Sequence, residues 1–319
     1  MKSESKIFVA GHKGLVGSAI LRELNLQGYE NVCVRTRGEL NLIDGQAVEK
    51  FLKDEYIEYV FLAAAKVGGI KANNEYPAEF LYQNLQIQNS VIHGSYLAGV
   101  KKLLFLGSSC IYPKFAEMPI KEKSLLTGPL EPTNQWYALA KIAGLKMCEA
   151  YNRQYGCTFI AAMPTNMYGP NDNYDLNTSH VLPALIRKFH EAKIAHAESV
   201  TLWGSGSPLR EFLYSDDLAN ACIFLMQNYE DVNFINVGFG EDISICNLAR
   251  LVGDITGFQG KVEWDTTKAD GTPRKLMDSS RLFDLGWKPK VHLKQGIKLA
   301  YQDFLKKYDA VSSPPKKPS

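Results

Sequence analysis

Residues 6–10 read Lys6-Ile7-Phe8-Val9-Ala10, and the chain passes from them directly into Gly11-His12-Lys13-Gly14-Leu15-Val16-Gly17. A short apolar run stopped by a glycine has the length of a buried strand. A segment long enough for a helix comes next, to about residue 28. A strand joined to a helix by a G-x-x-G-x-x-G loop constrains the fold more than anything else in the chain. The glycines let the backbone approach a pyrophosphate, which then rests on the free N–H groups and positive end of the helix. Three glycines can also be mere turn residues. The strand before them and the helix after favour a dinucleotide site made by residues 11 to 17.

The strand–helix alternation repeats through the next 130 or so residues. A second strand, 31–34, ends in Arg35-Thr36-Arg37. An NAD site would carry an acidic residue here for the ribose 2′-OH, whereas arginines suit a 2′-phosphate. Arg37 lies 20 residues past Gly17, so Arg35 and Arg37 point to NADPH; the bland alternative is a solvated pair. A third strand, 59–65, ends in Ala63-Ala64-Ala65-Lys66-Val67-Gly68-Gly69, small enough to let a cofactor close in. A helix over 78–97, a strand over 103–106, a helix to residue 155 and a strand over 158–163 complete the series. Such alternation predicts an α/β fold with a Rossmann-type doubly wound parallel sheet.

The chemistry is expected between residues 103 and 141. Leu103-Leu104-Phe105-Leu106 breaks at Gly107 into Ser108-Ser109-Cys110, at the carboxyl end of a strand, where open α/β sheets bind ligands. Tyr137 and Lys141 stand four apart and share one helix face. A lysine ammonium beside a tyrosine hydroxyl would lower its pKa from about 10. That tyrosine could then protonate a carbonyl oxygen to which Ser108 also donates. This is equipment for reducing a ketone. A Tyr-x-x-x-Lys spacing alone fits an ordinary surface helix equally well, and it is the nucleotide loop that favours the chemical reading.

Beyond residue 170 the pattern loosens. Loops are expected at 171–179, at 203–212 with exposed Trp203 and Arg210, and at 270–275. Helices are expected at 181–191 and, well capped, at 215–226, with a strand at 233–237 returning to the sheet and two short helices after it. The organisation read from this is a cofactor domain over 1–170, rejoined by about 213–240. A smaller mixed α/β substrate domain would take 171–212 and 241–308, with a Pro-, Ser- and Lys-rich disordered tail at 309–319. The net charge of +2 across 319 residues gives no field for nucleic acid or an anionic membrane. No apolar run reaches the ~20 residues of a membrane span. Six scattered cysteines without a C-x-x-C suggest reduced thiols in the cytoplasm and no metal site.

Nearly the whole chain resembles the GDP-L-fucose synthases, a family of extended short-chain dehydrogenase/reductases. The likeness is carried by residues 11–17, 63–69, 106–113, 137–141, 164–170, 203–206, 210–212 and 270–275. It implies conversion of GDP-4-keto-6-deoxy-D-mannose to GDP-L-fucose, with Ser108, Tyr137 and Lys141 as the reductase triad. It also implies Cys110 and His180 as the acid/base pair that inverts C3 and C5. The 4-keto group acidifies both neighbouring carbons, and inversion needs a base on one face and an acid on the other. Cys110 as thiolate is a competent base, and His180 titrates near neutrality. Without the likeness, a buried thiol and a helix-capping histidine would be the better readings. The resemblance further puts Leu106, Gly107, Lys141, Pro164, Asn166, Met167 and His180 against the cofactor. Lys188, Trp203, Arg210, Asp270 and Lys275 would meet the GDP-sugar. Helices 78–97 and 135–155 resemble the pair that makes this family's four-helix dimer contact, implying a homodimer. Lys13 departs from the arginine of some relatives, keeping the charge and losing a fork of donors.

Other functions remain open at this level. A 4,6-dehydratase would place an acidic pair where this chain has Ser109-Cys110, and a 4-epimerase would retain NAD, against Arg35 and Arg37. A C4 reductase of a related GDP-4-keto-6-deoxy sugar such as a heptose needs only a small change of pocket. A cofactor-sensing regulator would not need the intact Ser, Tyr, Lys, Cys and His set.

Overall fold

The apolar runs of the first half become strands buried on both sides. In chain order they and their helices are β1 (Ile7–Ala10), α1 (Leu15–Leu26), β2 (Val32–Cys33), α2 (Gly45–Asp54), β3 (Tyr59–Leu62), α3 (Ile70–Glu75), α4 (Pro77–Leu97), β4 (Lys102–Leu106), α5 (Gln135–Tyr155) and β5 (Phe159–Pro164). The second half runs β6 (Asn166–Tyr168), α6 (Val181–Ile194), β7 (Ser199–Trp203), β8 (Leu209–Tyr214), α7 (Ser215–Asn228), β9 (Ile235–Val237), β10 (Asp242–Ser244), α8 (Ile245–Thr256), β11 (Lys261–Asp265), β12 (Arg274–Lys275), α9 (Ser280–Asp284) and α10 (Leu293–Ser312). The structure is a computed structural model describing residues 1–268 and 270–312.

The main sheet is wholly parallel, in the order β2-β1-β3-β4-β5-β9. Every residue of β1, β4 and β5 is buried, as a sheet covered on both faces requires. Alternate residues of each strand go to opposite cores. Ile7, Val9 and Leu104 pack with Ile20 and Leu24 of α1 and Leu218 and Ile223 of α7. Phe8, Leu103 and Phe105 pack with Leu52 of α2, Val91 of α4 and Leu145 of α5. The order reverses between β1 and β3, so the crevice outside their carboxyl ends is the natural ligand site.

The second half builds its own apolar cluster, with Leu185 and Phe189 of α6, Phe212 of β8, Val252 of α8 and Ile297 of α10. β8 is the hub of a small mixed sheet, pairing antiparallel with β10 and parallel with β12 and β6. β7 and β11 form a separate parallel pair. No helix among the described residues is long and apolar enough to cross a membrane.

Several expectations for this half are corrected. Trp203 ends β7 and Arg210 lies in β8, so the loop between them is only 204–208. Arg210 is partly buried, unlike Trp203, which is 58% exposed. Arg274 and Lys275, expected in a loop, pair with Leu209 and Arg210. α7 starts at Ser215 after Tyr214, which supplies no capping side chain; instead the Asp217 carboxylate accepts from the N–H groups of Lys290 (3.1 Å) and Val291 (2.8 Å). The late helices are not short, since α8 has 12 residues and α10 has 20. α10 runs through 309–312, which the composition alone assigns to a disordered tail; 313–319 lie outside the described residues.

Candidate active site

The loop after β1 is shaped around its glycines. Gly11 has φ +90°, and a Cβ there would sit 2.7 Å from the Ala64 nitrogen, at the carboxyl end of β3. A Cβ on Gly17 would lie 2.1 Å from the Gly11 carbonyl oxygen. Gly14 begins α1 with no side chain capping its first N–H groups, which suits an anion at the helix's positive end. A dinucleotide pyrophosphate therefore fits residues 11 to 17. At the end of β2 the two arginines separate. Arg35 bonds Glu55 at 2.6 Å and the Val34 carbonyl at 2.9 Å, and lies 4.9 Å above the Phe51 ring. Arg37 is exposed, and no hydrogen bond or ion pair ties it among the described residues. A 2′-phosphate would find Arg37 free and Arg35 already engaged.

At the end of β4 the chain tightens into a single 3-10 turn, Ser109–Ile111, started by Ser108, whose Oγ accepts the Cys110 N–H at 3.3 Å. Gly107 is held to the Ala162 carbonyl at 2.9 Å and packs on the Met163 sulfur. α5 brings Tyr137 and Lys141 to this turn. Lys141 is buried, its Nζ donating to the Leu106 carbonyl at 2.8 Å and standing 5.7 Å from the Tyr137 ring centroid. Burial holds its pKa down to about 8. Burial, with Cys110 second, pushes the Tyr137 hydroxyl up rather than down. The Lys141 ammonium is meanwhile directed to the Leu106 carbonyl. Tyr137 is held as the protonated phenol, the form that can donate.

Cys110 is buried, and burial pushes its thiol up, against the opposing influence of Lys275, Ser108 and Lys141. His180 is the N-cap residue of α6 and is exposed. The protein around it, with Lys275 second, still holds its pKa below the ordinary value. The segment before it is seated against the start of α3: the Gly69 N–H donates to the Thr178 carbonyl at 2.9 Å, and a Cβ on Gly69 would strike the Ser179 carbonyl at 2.6 Å. The small residues of 63–69 thus serve the His180 segment as well as the nucleotide loop. Pro164 closes β5 beside β9, and Asn166 donates to the Glu211 carbonyl at 2.7 Å, with Met167 next to it in β6.

The expected sugar-nucleotide residues form two groups. Trp203 stands between Lys188 and Lys268, whose ammonium groups are 5.8 and 5.9 Å from its ring, and Lys188 also reaches the Thr201 carbonyl at 3.2 Å. Asp270 accepts from the Ser205 N–H (2.7 Å) and hydroxyl (2.8 Å), so its carboxylate is engaged in fixing the 204–208 turn. Lys275 stands apart from Trp203, in one pocket with Cys110. That pocket also exposes two residues missed in the sequence, Glu131 and Asn134. Asn134 precedes α5 by one residue and caps nothing with its side chain; its place three residues before Tyr137 was the available signal. Glu131 pairs with Lys114 at 2.9 Å.

The profile of the NAD dependent epimerase/dehydratase family matches residues 7–238. A putative GDP-L-fucose synthase 2 of Arabidopsis thaliana is 61% identical over 305 residues, 96% of this chain and 93% of the relative. The chain belongs to the GDP-L-fucose synthase family. Among solved structures, a GDP-6-OMe-4-keto-L-xylo-heptose reductase from Campylobacter jejuni superposes with a TM-score of 0.92 at 42% identity, covering 96% of this chain and 99% of that one. A GDP-L-fucose synthetase from Naegleria fowleri bound to NADP gives a TM-score of 0.90 at 29% identity, over 97% and 96% of the two chains.

Proposed function

We propose that this protein converts GDP-4-keto-6-deoxy-D-mannose to GDP-L-fucose, inverting C3 and C5 and then reducing the 4-keto group with NADPH. The observation that carries the reading is the meeting of Ser108, Tyr137 and Lys141 around Cys110, in a chain 61% identical to a relative bearing this name. In the first half-reaction Cys110 takes a proton from a carbon beside the carbonyl, the C–H electrons moving into an enolate. His180 returns a proton to the opposite face. In the second, NADPH bound over residues 11–17 supplies a hydride to C4. Tyr137 gives its proton to the oxygen, Ser108 donates to the same oxygen, and Lys141 neutralises the phenolate left behind. Leu106, Gly107, Pro164, Asn166 and Met167 would shape the nicotinamide side of the crevice, with Arg37 on the 2′-phosphate. Lys188, Trp203, Arg210 and Asp270 would receive the GDP moiety.

The same reading takes residues 1–170 and about 213–240 as the cofactor domain, supported by the pairing of β9 with β5. It takes the protein as a homodimer through α4 and α5, supported by the exposed Tyr82, Trp136 and Leu139 on those helices. A cytoplasmic setting accords with six unpaired cysteines. A second reading, C4 reduction of a GDP-4-keto heptose, is favoured by the Campylobacter jejuni structure. Incubation with GDP-4-keto-6-deoxymannose and NADPH, followed by identification of the sugar, decides between them. GDP-L-fucose is expected; turnover only with the heptose substrate would replace the first reading by the second.

A further inference from the structure

We propose that Lys275 is a positioning residue of the epimerisation half-reaction, its ammonium standing opposite Cys110 and holding that side chain as the thiolate. The inference rests on the reading of Cys110 as the base, and it takes Lys275 out of the group that meets the diphosphate.

Lys275 and Cys110 line one narrow pocket, though one comes from β12 and the other from the turn after β4. The lysine is not on a loose loop. Its backbone pairs with Arg210, the Leu276 carbonyl accepts the Ile120 N–H at 2.8 Å, and the Met277 N–H donates to the Glu211 carboxylate at 3.1 Å. Glu211 is fully buried and is itself fixed by the Gly240 N–H at 2.8 Å. These bonds pin Lys275 between β8 and the segment that leads away from Cys110.

Among the charges around the thiol, Lys275 is the foremost cation, with Lys141 second. Cys110 is faced by Ser108, by Tyr137 and Lys141 of α5, and by Lys275. Lys141 is committed to the Leu106 carbonyl. Burial lowers the Lys275 pKa, and the lysine is faced by Cys110 and Glu131, which favour its charged form, and by Arg210, which opposes it; Glu131 already pairs with Lys114. A buried thiol resists ionisation, and a thiolate forms there only beside a cation. Of the groups that oppose burial at Cys110, Lys275 exerts the largest effect. The same ammonium bears on His180 and favours its neutral form. At His180, the proposed proton donor, this effect opposes the charged form, so the Lys275 role proposed here concerns Cys110 alone.

A phosphate clamp and a thiolate counter-ion behave differently in the enzyme without substrate. The test is the pH profile of Cys110 alkylation by iodoacetamide in the full chain, followed on the Cys110 peptide by mass spectrometry because five other thiols are present. Lys275→Met should move the profile to higher pH and slow alkylation at pH 8 by roughly tenfold. Lys275→Arg should restore the wild-type profile. A Lys275→Met profile that coincides with wild type would overturn the proposal; should that variant not fold, Lys275→Gln carries the same comparison. Solvent deuterium uptake by the keto sugar with wild-type enzyme is read separately. If it is absent while the alkylation profiles still separate, the role of Cys110 as base is wrong and the Lys275–Cys110 pairing stands.

Discussion

Lys141 Nζ donates to the Leu106 carbonyl oxygen at 2.8 Å, which turns the lysine of the Tyr–Lys pair toward the end of β4. The strand's last carbonyl thereby holds a buried ammonium next to the serine turn, ready to be drawn toward a phenolate when one forms. Its pKa of about 8 has a measurable consequence. The folded value lies below the ordinary lysine value, so the unfolded chain binds the extra proton, and stability supplied through Lys141 rises as pH climbs from about 8 toward 10.5. The difference in unfolding free energy between wild type and Lys141→Met should therefore move in favour of wild type over that window. Denaturant melts at pH 7 and pH 9.5 read it; a difference that stays constant would mean Lys141 is not a depressed, buried ammonium.

Arg37 and Arg35 should separate on substitution. Arg37→Ala should raise the Michaelis constant for NADPH by roughly 10- to 100-fold, the worth of a charge-assisted contact, and leave that for NADH nearly unchanged. Arg35→Ala breaks the bond to Glu55 and uncovers Phe51, so it should lower the melting temperature and affect both cofactors alike. Steady-state kinetics with each cofactor check this, and equal losses for Arg37→Ala would remove the 2′-phosphate assignment.

The outer faces of α4 and α5 carry Tyr82 at 58% and Leu139 at 41% exposure. Large apolar groups gathered on one exposed face mark an interface. Light scattering at micromolar concentration should report a dimer for wild type and a monomer for Leu139→Glu. A wild-type monomer would sink the homodimer.

The first half of the fold was legible because each signal was local. Apolar runs such as 103–106 make up nearly whole strands, and the glycines at 11 and 17 specify a backbone shape by what they exclude. The spacing of Tyr137 and Lys141 fixes their common helix face. The direction in which Tyr137 titrates was not legible, since it depends on burial and on Cys110, which a separate stretch of the chain brings to it. The same holds for Arg35, whose partner Glu55 comes from the end of α2. The second half was least legible, because β8 draws partners from 166–168, 242–244 and 274–275, and strands of two or three residues carry no period. Lys275 lies in the shortest of these, and nothing near it in the chain announces that it shares a pocket with Cys110.

On the proposed function, one crevice runs two separable half-reactions, inversion through Cys110 and His180 and reduction through Tyr137. The decisive measurement incubates Tyr137→Phe and Cys110→Ser with GDP-4-keto-6-deoxymannose and NADPH in deuterium oxide, with NADPH oxidation and sugar deuteration both followed. Tyr137→Phe should cut NADPH oxidation by roughly 100-fold or more and still place deuterium at C3 or C5. Cys110→Ser should leave those carbons undeuterated, and any slow reduction should give an unepimerised sugar. Deuterium uptake by Cys110→Ser at the wild-type rate would contradict this division of labour and leave a simple ketoreductase acting on a sugar epimerised elsewhere.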